Sequence, residues 1–250
     1  MNFKKPKIVF SDFDGTLTLG SELTTSFFDI ISLLEKNNIP LVIVTGRSKS
    51  WAHFLLSHFP TIHYVITEGG GVISGKHLVD GRFKLWDKLL VPREEVDQLA
   101  VLAKKLVSEF PEMEMSVDSF GRESDRAIEL PYLDENPSDA VKIKKFLKDH
   151  NINFSISNVH LNFWCGEISK IDSIHYFMSE YYKDLDLAET VFFGDSLNDE
   201  TVFKGHPHTV GVSNVSKVLD QLTRKPAVIL EGEENKGPKG VYSYLTTSLK

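Results

Sequence analysis

The stretch Lys7-Ile8-Val9-Phe10-Ser11-Asp12-Phe13-Asp14-Gly15-Thr16 decides the reading of this chain. Ile8 to Phe10 is a β-branched and aromatic run, the pattern of a buried strand. It runs into two carboxylates one residue apart, then Gly-Thr. Side chains at i and i+2 of an extended segment point the same way, so Asp12 and Asp14 converge just past the strand's C-terminal end. Open α/β sheets hold their ligands at that edge. Two carboxylates there suit a divalent cation, or a nucleophile with an acid–base partner. Gly15 permits a sharp turn and brings amide N–H groups close to an anion. A plain Asp-rich turn is the alternative for this segment alone.

Outward from it, strand and helix alternate. Leu23, Phe27, Ile30, Ile31 and Leu34 have helical spacing within Glu22–Lys36, with Ser21 as N-cap. Leu41–Val44 is a short, continuously apolar run, as for a strand buried on both faces. Trp51–His58 reads as a helix and His63–Thr67 as a third strand. This βαβαβ order implies a parallel sheet with right-handed crossovers. After Gly69-Gly70-Gly71 the pattern changes. Short strand pieces (Val72-Ile73, His77–Val79) precede a helix from Pro92 with Val96, Leu99, Leu102, Ala103 and Leu106 on one face. Met113–Val117, Arg126–Leu130, Ile152–Ile156 and Val159–Phe163 read as strands, and Ser138 caps a helix to His150. The α/β pattern resumes with a helix over Ile168–Tyr182, strands at Thr190–Phe193 and Thr209–Val212, and helices at Val215–Leu222 and Gly240–Leu249. The expected fold is a doubly wound, Rossmann-like α/β core, residues 1–71 and 168–250, with an α+β domain, 72–167, inserted in it.

Two further strand ends carry chemistry. Thr45-Gly46-Arg47 follows the second strand: a hydroxyl donor, room for a phosphate oxygen, and a planar cation. An ordinary strand-to-helix turn with Ser48 as cap is the alternative. Gly194-Asp195-Ser196-Leu197-Asn198-Asp199 follows Val191–Phe193. Carboxylates from Asp12, Asp14 and Asp195 with water would suit Mg²⁺. Lys170 near a helix start sits at the end that repels cations, which either a functional pairing with carboxylates and phosphate or an ordinary surface position accounts for.

Composition narrows the class. Of 250 residues, 41% are hydrophobic and 25% charged, as in globular proteins. A net charge of −7 argues against nucleic acid as a general partner. No signal peptide and no apolar run long enough to span a membrane is visible, so no membrane partner is expected. The single cysteine, Cys165, excludes an internal disulfide and points to a reducing cytoplasm. Cys165 lacks a nucleophile signature and reads as a packed residue.

Together these segments resemble the haloacid dehalogenase superfamily of phosphohydrolases. Asp12–Thr16 resembles its first motif, Thr45–Arg47 the second, Lys170 the third and Gly194–Asp199 the fourth, in order and spacing. The insertion resembles its type IIB cap, found in phosphatases of trehalose, sucrose and mannosylglycerate phosphates and in Cof-like phosphatases. The resemblance implies a Mg²⁺-dependent sugar-phosphate phosphatase acting as a monomer or small homo-oligomer. Asp12 would be the nucleophile and Asp14 the acid–base group. Asp12, Asp14 and Asp195 would hold the metal, and Asp199 would orient its shell or Lys170. Thr45 and Lys170 would neutralise phosphoryl oxygens, and Gly46, Arg47 and Asn198 would contact the substrate. Relatives often read Glu-Asn-Gly-Ala where this chain has Glu68-Gly69-Gly70-Gly71, which implies a more flexible cap junction.

Within the insertion, Arg122, Asp125 and Arg126 form a polar, turn-rich segment suited to reading hydroxyls or carboxylates. A solvated hairpin turn with surface ion pairs is the alternative. His160 and Asn162, alternating on one strand, are further candidates for the cleft. Two competing functions remain open: a phosphomutase, which needs a second cationic cluster in the cap, and a non-catalytic binding module, which expects loss of one of the three aspartates.

Overall fold

A computed structural model describes residues 5–249. The larger sheet contains β1 (Ile8–Ser11), β2 (Leu41–Val44), β3 (Tyr64–Thr67), β4 (Val72–Val79) and β5 (Arg82–Leu89). It is completed by β9 (Thr190–Gly194), β10 (Thr209–Gly211) and β11 (Val228–Ile229), in the spatial order β11-β10-β9-β1-β2-β3-β4-β5. Pairing is parallel from β11 to β3 and antiparallel at β4 and β5. Its central strands are apolar throughout because both faces are covered. Val9, Leu41, Ile43, Val191 and Phe193 enter one apolar cluster, and Ile8, Phe10, Val42, Val44 and Phe192 enter the other. That alternation is the period of two of an extended chain.

The first face is covered by α1 (Thr25–Lys36), α2 (Lys49–His58) and α8 (Pro238–Ser248), through Phe27, Ile30, Leu55, Val241 and Leu245. The second is covered by α6 (Lys170–Tyr181) and α7 (Glu200–Gly205), through Ile171, Ile174, Phe177, Val202 and Phe203. Phe177 is fully buried, with its ring 5.9 Å from Phe10 and 5.1 Å from Tyr64 between centroids. It fixes α6 against β1 and β3, and α6 carries Lys170 at its first position.

A separate antiparallel sheet, ordered β6-β8-β7, is built from β6 (Arg126–Glu129), β7 (Asn153–Ile156) and β8 (His160–Trp164). With α3 (Arg93–Glu109), α4 (Leu130–Glu135) and α5 (Pro137–Asp149) it encloses its own core around Leu106, Ile128, Ile143, Leu147, Leu161 and Phe163. Cys165 is buried at the rim of that core.

Several expected elements differ. The segment from residue 72 forms a hairpin that extends the larger sheet, so we draw the insertion's start after Leu89 instead. Helix α1 starts after Thr24, because a bridge between Leu19 and Glu22 holds Ser21 in a turn. Met113–Val117 is no strand: one bridge, Met115 to Ile128, is all that pairs. Helix α5 starts from Asn136 rather than Ser138 and follows the short α4. Residues 215–222 coil in 3₁₀ turns, with Val215 N bonded to Val212 O and Val218 N to Val215 O. No helix among the described residues is long and apolar enough to cross a membrane.

Truncating the side chain that seats α6 gives a direct test. Phe177→Ala should lower unfolding free energy by about 3–5 kcal/mol, read by chemical denaturation. A loss under ~1 kcal/mol would show that α6 is held elsewhere.

Candidate active site

The C-terminal ends of β1, β2 and β9 lie side by side, and each ends in a chemically active turn. Asp12 is fixed by its backbone N–H, which donates to Phe193 O at 2.8 Å, and Thr45 by the bond of its N–H to Ile66 O at 2.9 Å. The sheet's own ladder therefore aims both side chains.

Lys170 Nζ donates to Asp12 Oδ1 at 2.6 Å, to Asp199 Oδ1 at 2.7 Å and to Asn198 Oδ1 at 3.4 Å. These two carboxylates explain a lysine at a helix N-terminus: their attraction outweighs the dipole and the cost of burial. Its pKa is held above the usual lysine value; burial opposes this, and Asp12 and Asp199 overcome it. Asp199 is fully buried and accepts through Oδ2 from the backbone N–H of Asp195 (2.9 Å) and Ser196 (3.1 Å), fixing the turn after β9. Asp195 Oδ1 accepts from Thr16 Oγ1 at 2.9 Å, and its Oδ2 accepts from the side-chain amides of Asn158, at 3.0 Å, and Asn214.

One ligand oxygen each from Asp12, Asp195 and Asp199 falls within 4.8 Å of the others. Burial raises the Asp12 carboxyl well above its usual range although Lys170 pulls it down. Burial and then Asp199 push Asp195 up to about 7. Three buried carboxyl groups share a single ammonium here, and their hard oxygen donors fit Mg²⁺, which would neutralise them as carboxylates.

Asp14 and Arg47 form a bidentate pair, with Nε to Oδ2 at 2.8 Å and Nη2 to Oδ1 at 2.7 Å. The Arg47 guanidinium also stacks on Trp51, 4.7 Å from the ring centre. Asp12, Asp14, Thr45, Arg47, Ser157, His160 and Asn198 surround a space of only about 10 Å³, room for one water. His160 is held below its usual pKa, first by burial and then by Arg122. A cavity of about 230 Å³ adjoins this space across Gly46 and Asn198, lined by Phe154, Trp164, Leu197 and Lys170.

The inserted unit closes over this edge. Arg122, fully buried, donates to Asp118, to Asp125 at 2.8 and 2.9 Å, and to the Gly46 carbonyl at 3.0 Å. Asn162 donates to Gly46 O at 3.1 Å and to Asp125 at 2.8 Å. Arg126 donates to the backbone carbonyls of Glu123 and Asp125. The segment expected to be either a substrate reader or a solvated turn is thus an internal clamp. Arg122 itself is spent on the protein, because Asp118 and Asp125 flank it in sequence and neutralise it on burial. Glu68, Asn158 and Asn214 escaped the sequence reading. Glu68 is buried at φ +55° and accepts from the N–H groups of Glu123 and Ser124 and from Ser124 Oγ. Its only sequence signal was its place before three glycines.

Residues 5–237 match the family model described as sucrose-6F-phosphate phosphohydrolase. A phosphoglycolate phosphatase of Methanobrevibacter smithii is 26% identical over 210 residues, 83% of this chain and 86% of that protein. By structure, the chain is similar to the Thermoplasma acidophilum protein 0175, at TM-score 0.73 and 15% identity, with 96% of this chain and 98% of that one covered. It is also similar to the sucrose-phosphatase of Synechocystis, solved with sucrose and phosphate, at TM-score 0.66 and 15% identity, with 98% of both chains covered. These structural likenesses are of fold. The chain belongs to the sucrose-6F-phosphate phosphohydrolase family, within the haloacid dehalogenase superfamily, and is a phosphoric monoester hydrolase.

Proposed function

We propose that this enzyme is a Mg²⁺-dependent phosphatase of a small hydroxylated molecule, a sugar phosphate in the first instance, working through an aspartyl-phosphate. The observation that carries this reading is the grip of Lys170 on Asp12 and Asp199, which brings one cation against the nucleophile at the edge where Asp14 and Thr45 also meet.

Asp12 attacks phosphorus in line and the bond to the leaving oxygen breaks. Asp14 gives that oxygen its proton, so its carboxyl must first leave Arg47, which engages both of its oxygens. Water then attacks the aspartyl-phosphate phosphorus and passes a proton to Asp14, which releases phosphate and restores Asp12. Lys170 and the Thr45 hydroxyl neutralise the equatorial oxygens. Asp12, Asp195 and the Asp14 carbonyl, with Asp199 behind them, would hold Mg²⁺, which would supply charge neutralisation of the transferred group. Because the phosphoryl space takes one water, the inserted unit must lift to admit substrate.

The adjoining cavity supports a sugar as leaving group. Phe154 and Trp164 contribute apolar surface, Ser155 and Asn198 contribute polar groups, and the carboxyl groups of Glu68, Asp125 and Glu200 outnumber the one ammonium, Lys170, in the lining. A second anion, as in the glycolate named for the Methanobrevibacter relative, suits that lining less. A mutase would need cationic donors in the cap for a second phosphate, and Arg122 is fully committed to the clamp. A cytoplasmic site of action fits the single, buried cysteine.

Phosphate release from a panel that includes hexose phosphates, disaccharide phosphates and phosphoglycolate tests the substrate class. Neutral sugar phosphates should exceed phosphoglycolate in kcat/KM, and the reverse order would overturn the leaving-group reading. Isomerised sugar in place of free phosphate would indicate a mutase. Asp12→Asn should lower kcat at least ~10³-fold with the fold intact by circular dichroism; more than a tenth of wild-type kcat would remove Asp12 as nucleophile. Chelation should silence the wild type and Mg²⁺ restore it, whereas Asp195→Ala should need far more Mg²⁺. Full activity after exhaustive chelation would defeat the metal assignment.

A further inference from the structure

Asn158 lies on the turn between β7 and β8, in the inserted unit, yet its side chain ends inside the catalytic edge of the larger sheet. Its Nδ2 donates to the Asp14 backbone carbonyl at 2.9 Å and to Asp195 Oδ2 at 3.0 Å. The first is an oxygen assigned above to the cation, and the second belongs to a carboxylate assigned to it. In an octahedral shell with metal–oxygen bonds of 2.0–2.1 Å, neighbouring oxygens stand ~3.0 Å apart. The end of the Asn158 carboxamide is therefore one octahedral edge away from both.

The neighbouring Asn214 cannot play the same part. It also donates to Asp195, and to Gly15 O at 3.0 Å, but its Oδ1 accepts from Gly237 N at 3.0 Å, which fixes its orientation. Among the described residues, the Asn158 Oδ1 accepts no hydrogen bond, so a half-turn of its amide sacrifices nothing else. An amide faces whichever way its partners dictate. Against two acceptor oxygens it presents N–H; against a cation held by the same two residues it presents its carbonyl oxygen, a hard donor of the kind Mg²⁺ takes.

We propose that Asn158 is an oxygen ligand to the cation, delivered by the inserted unit, so that the metal shell is complete only when that unit is closed. This rests on the cation reading given above. It makes cation affinity a property of both units and makes the bound cation a tie between them.

Binding of Mg²⁺ to the full chain without substrate, by titration calorimetry, tests this directly, with Mn²⁺ as a paramagnetic probe of the same site. Asn158 is exposed, so its replacement leaves the apolar cores intact; equal thermal melting of wild type and variant in chelator checks that. Asn158→Ala should weaken Mg²⁺ binding ~10-fold or more. Asn158→Asp, which keeps an oxygen and adds charge, should bind as tightly as wild type or tighter. Mg²⁺ should slow amide exchange across residues 157–160 in wild type and not in Asn158→Ala. Unchanged or tighter binding by Asn158→Ala would overturn the proposal, the tighter result meaning that the amide competes with the cation. Asp195→Ala run alongside separates the two readings. If it loses the cation while Asn158→Ala keeps it, only this inference falls; if Asp195→Ala still binds as wild type, the cation site itself is misassigned.

Discussion

Burying one ammonium group among carboxylates is the constraint on which the rest of this molecule depends. Lys170 Nζ touches Asp12 from β1 and Asp199 from the turn after β9, so three chain segments far apart in sequence answer to one charge. Neither partner is replaceable at low cost, because removing one leaves a desolvated charge unpaired. The apolar packing exists in part to hold this arrangement. Phe177 seats α6 on the sheet, and the β1–β9 ladder brings Asp12 beside Asp195. The three carboxyl groups that share this one ammonium are what make the site a cation trap rather than a closed salt-bridge network.

Polar groups bind the inserted unit to this edge. Gly46 O, in the turn expected to hold phosphate, accepts from both Arg122 and Asn162. The same turn is thus a phosphate-contacting loop and a docking point. Hydrogen bonds of this kind exchange with water at little net cost, which suits a surface that must part and re-form in each turnover.

Much of this was legible in the sequence where local pattern and physics coincide. Ile8–Phe10 reads as a buried strand, Leu41–Val44 as one buried on both faces and Thr190–Phe193 as a further strand because apolar residues dominate them, and the polar residues after them fall at the strand ends. Helix α3 was equally plain from Val96, Leu99, Ala103 and Leu106. Where strands are half-exposed the signal fades: β5 carries Arg82, Lys84, Asp87 and Lys88 among its apolar residues, and no strand pattern shows in its sequence. Arg122 reads locally as a solvated turn, and only the fold reveals that Asp118, Asp125 and Gly46 enclose it. Asn158 lies 144 residues from the Asp14 carbonyl it reaches, and a lone asparagine in a turn announces nothing of the kind.

The three glycines after Glu68 resemble a loose joint in sequence, yet two of them are points of tight contact. A Cβ on Gly70 would overlap the Ser169 carbonyl, and one on Gly71 would overlap Ser124 Oγ. Leu90 N also bonds to Gly71 O at 2.9 Å, so the chain entering the inserted unit, at Leu90, and the chain leaving it, at Ser169, both meet this short stretch. The junction is therefore a packed point and not a slack tether. A side chain added at either glycine would have to displace Ser169 or Ser124, so a stretch that looks permissive in sequence tolerates substitution poorly.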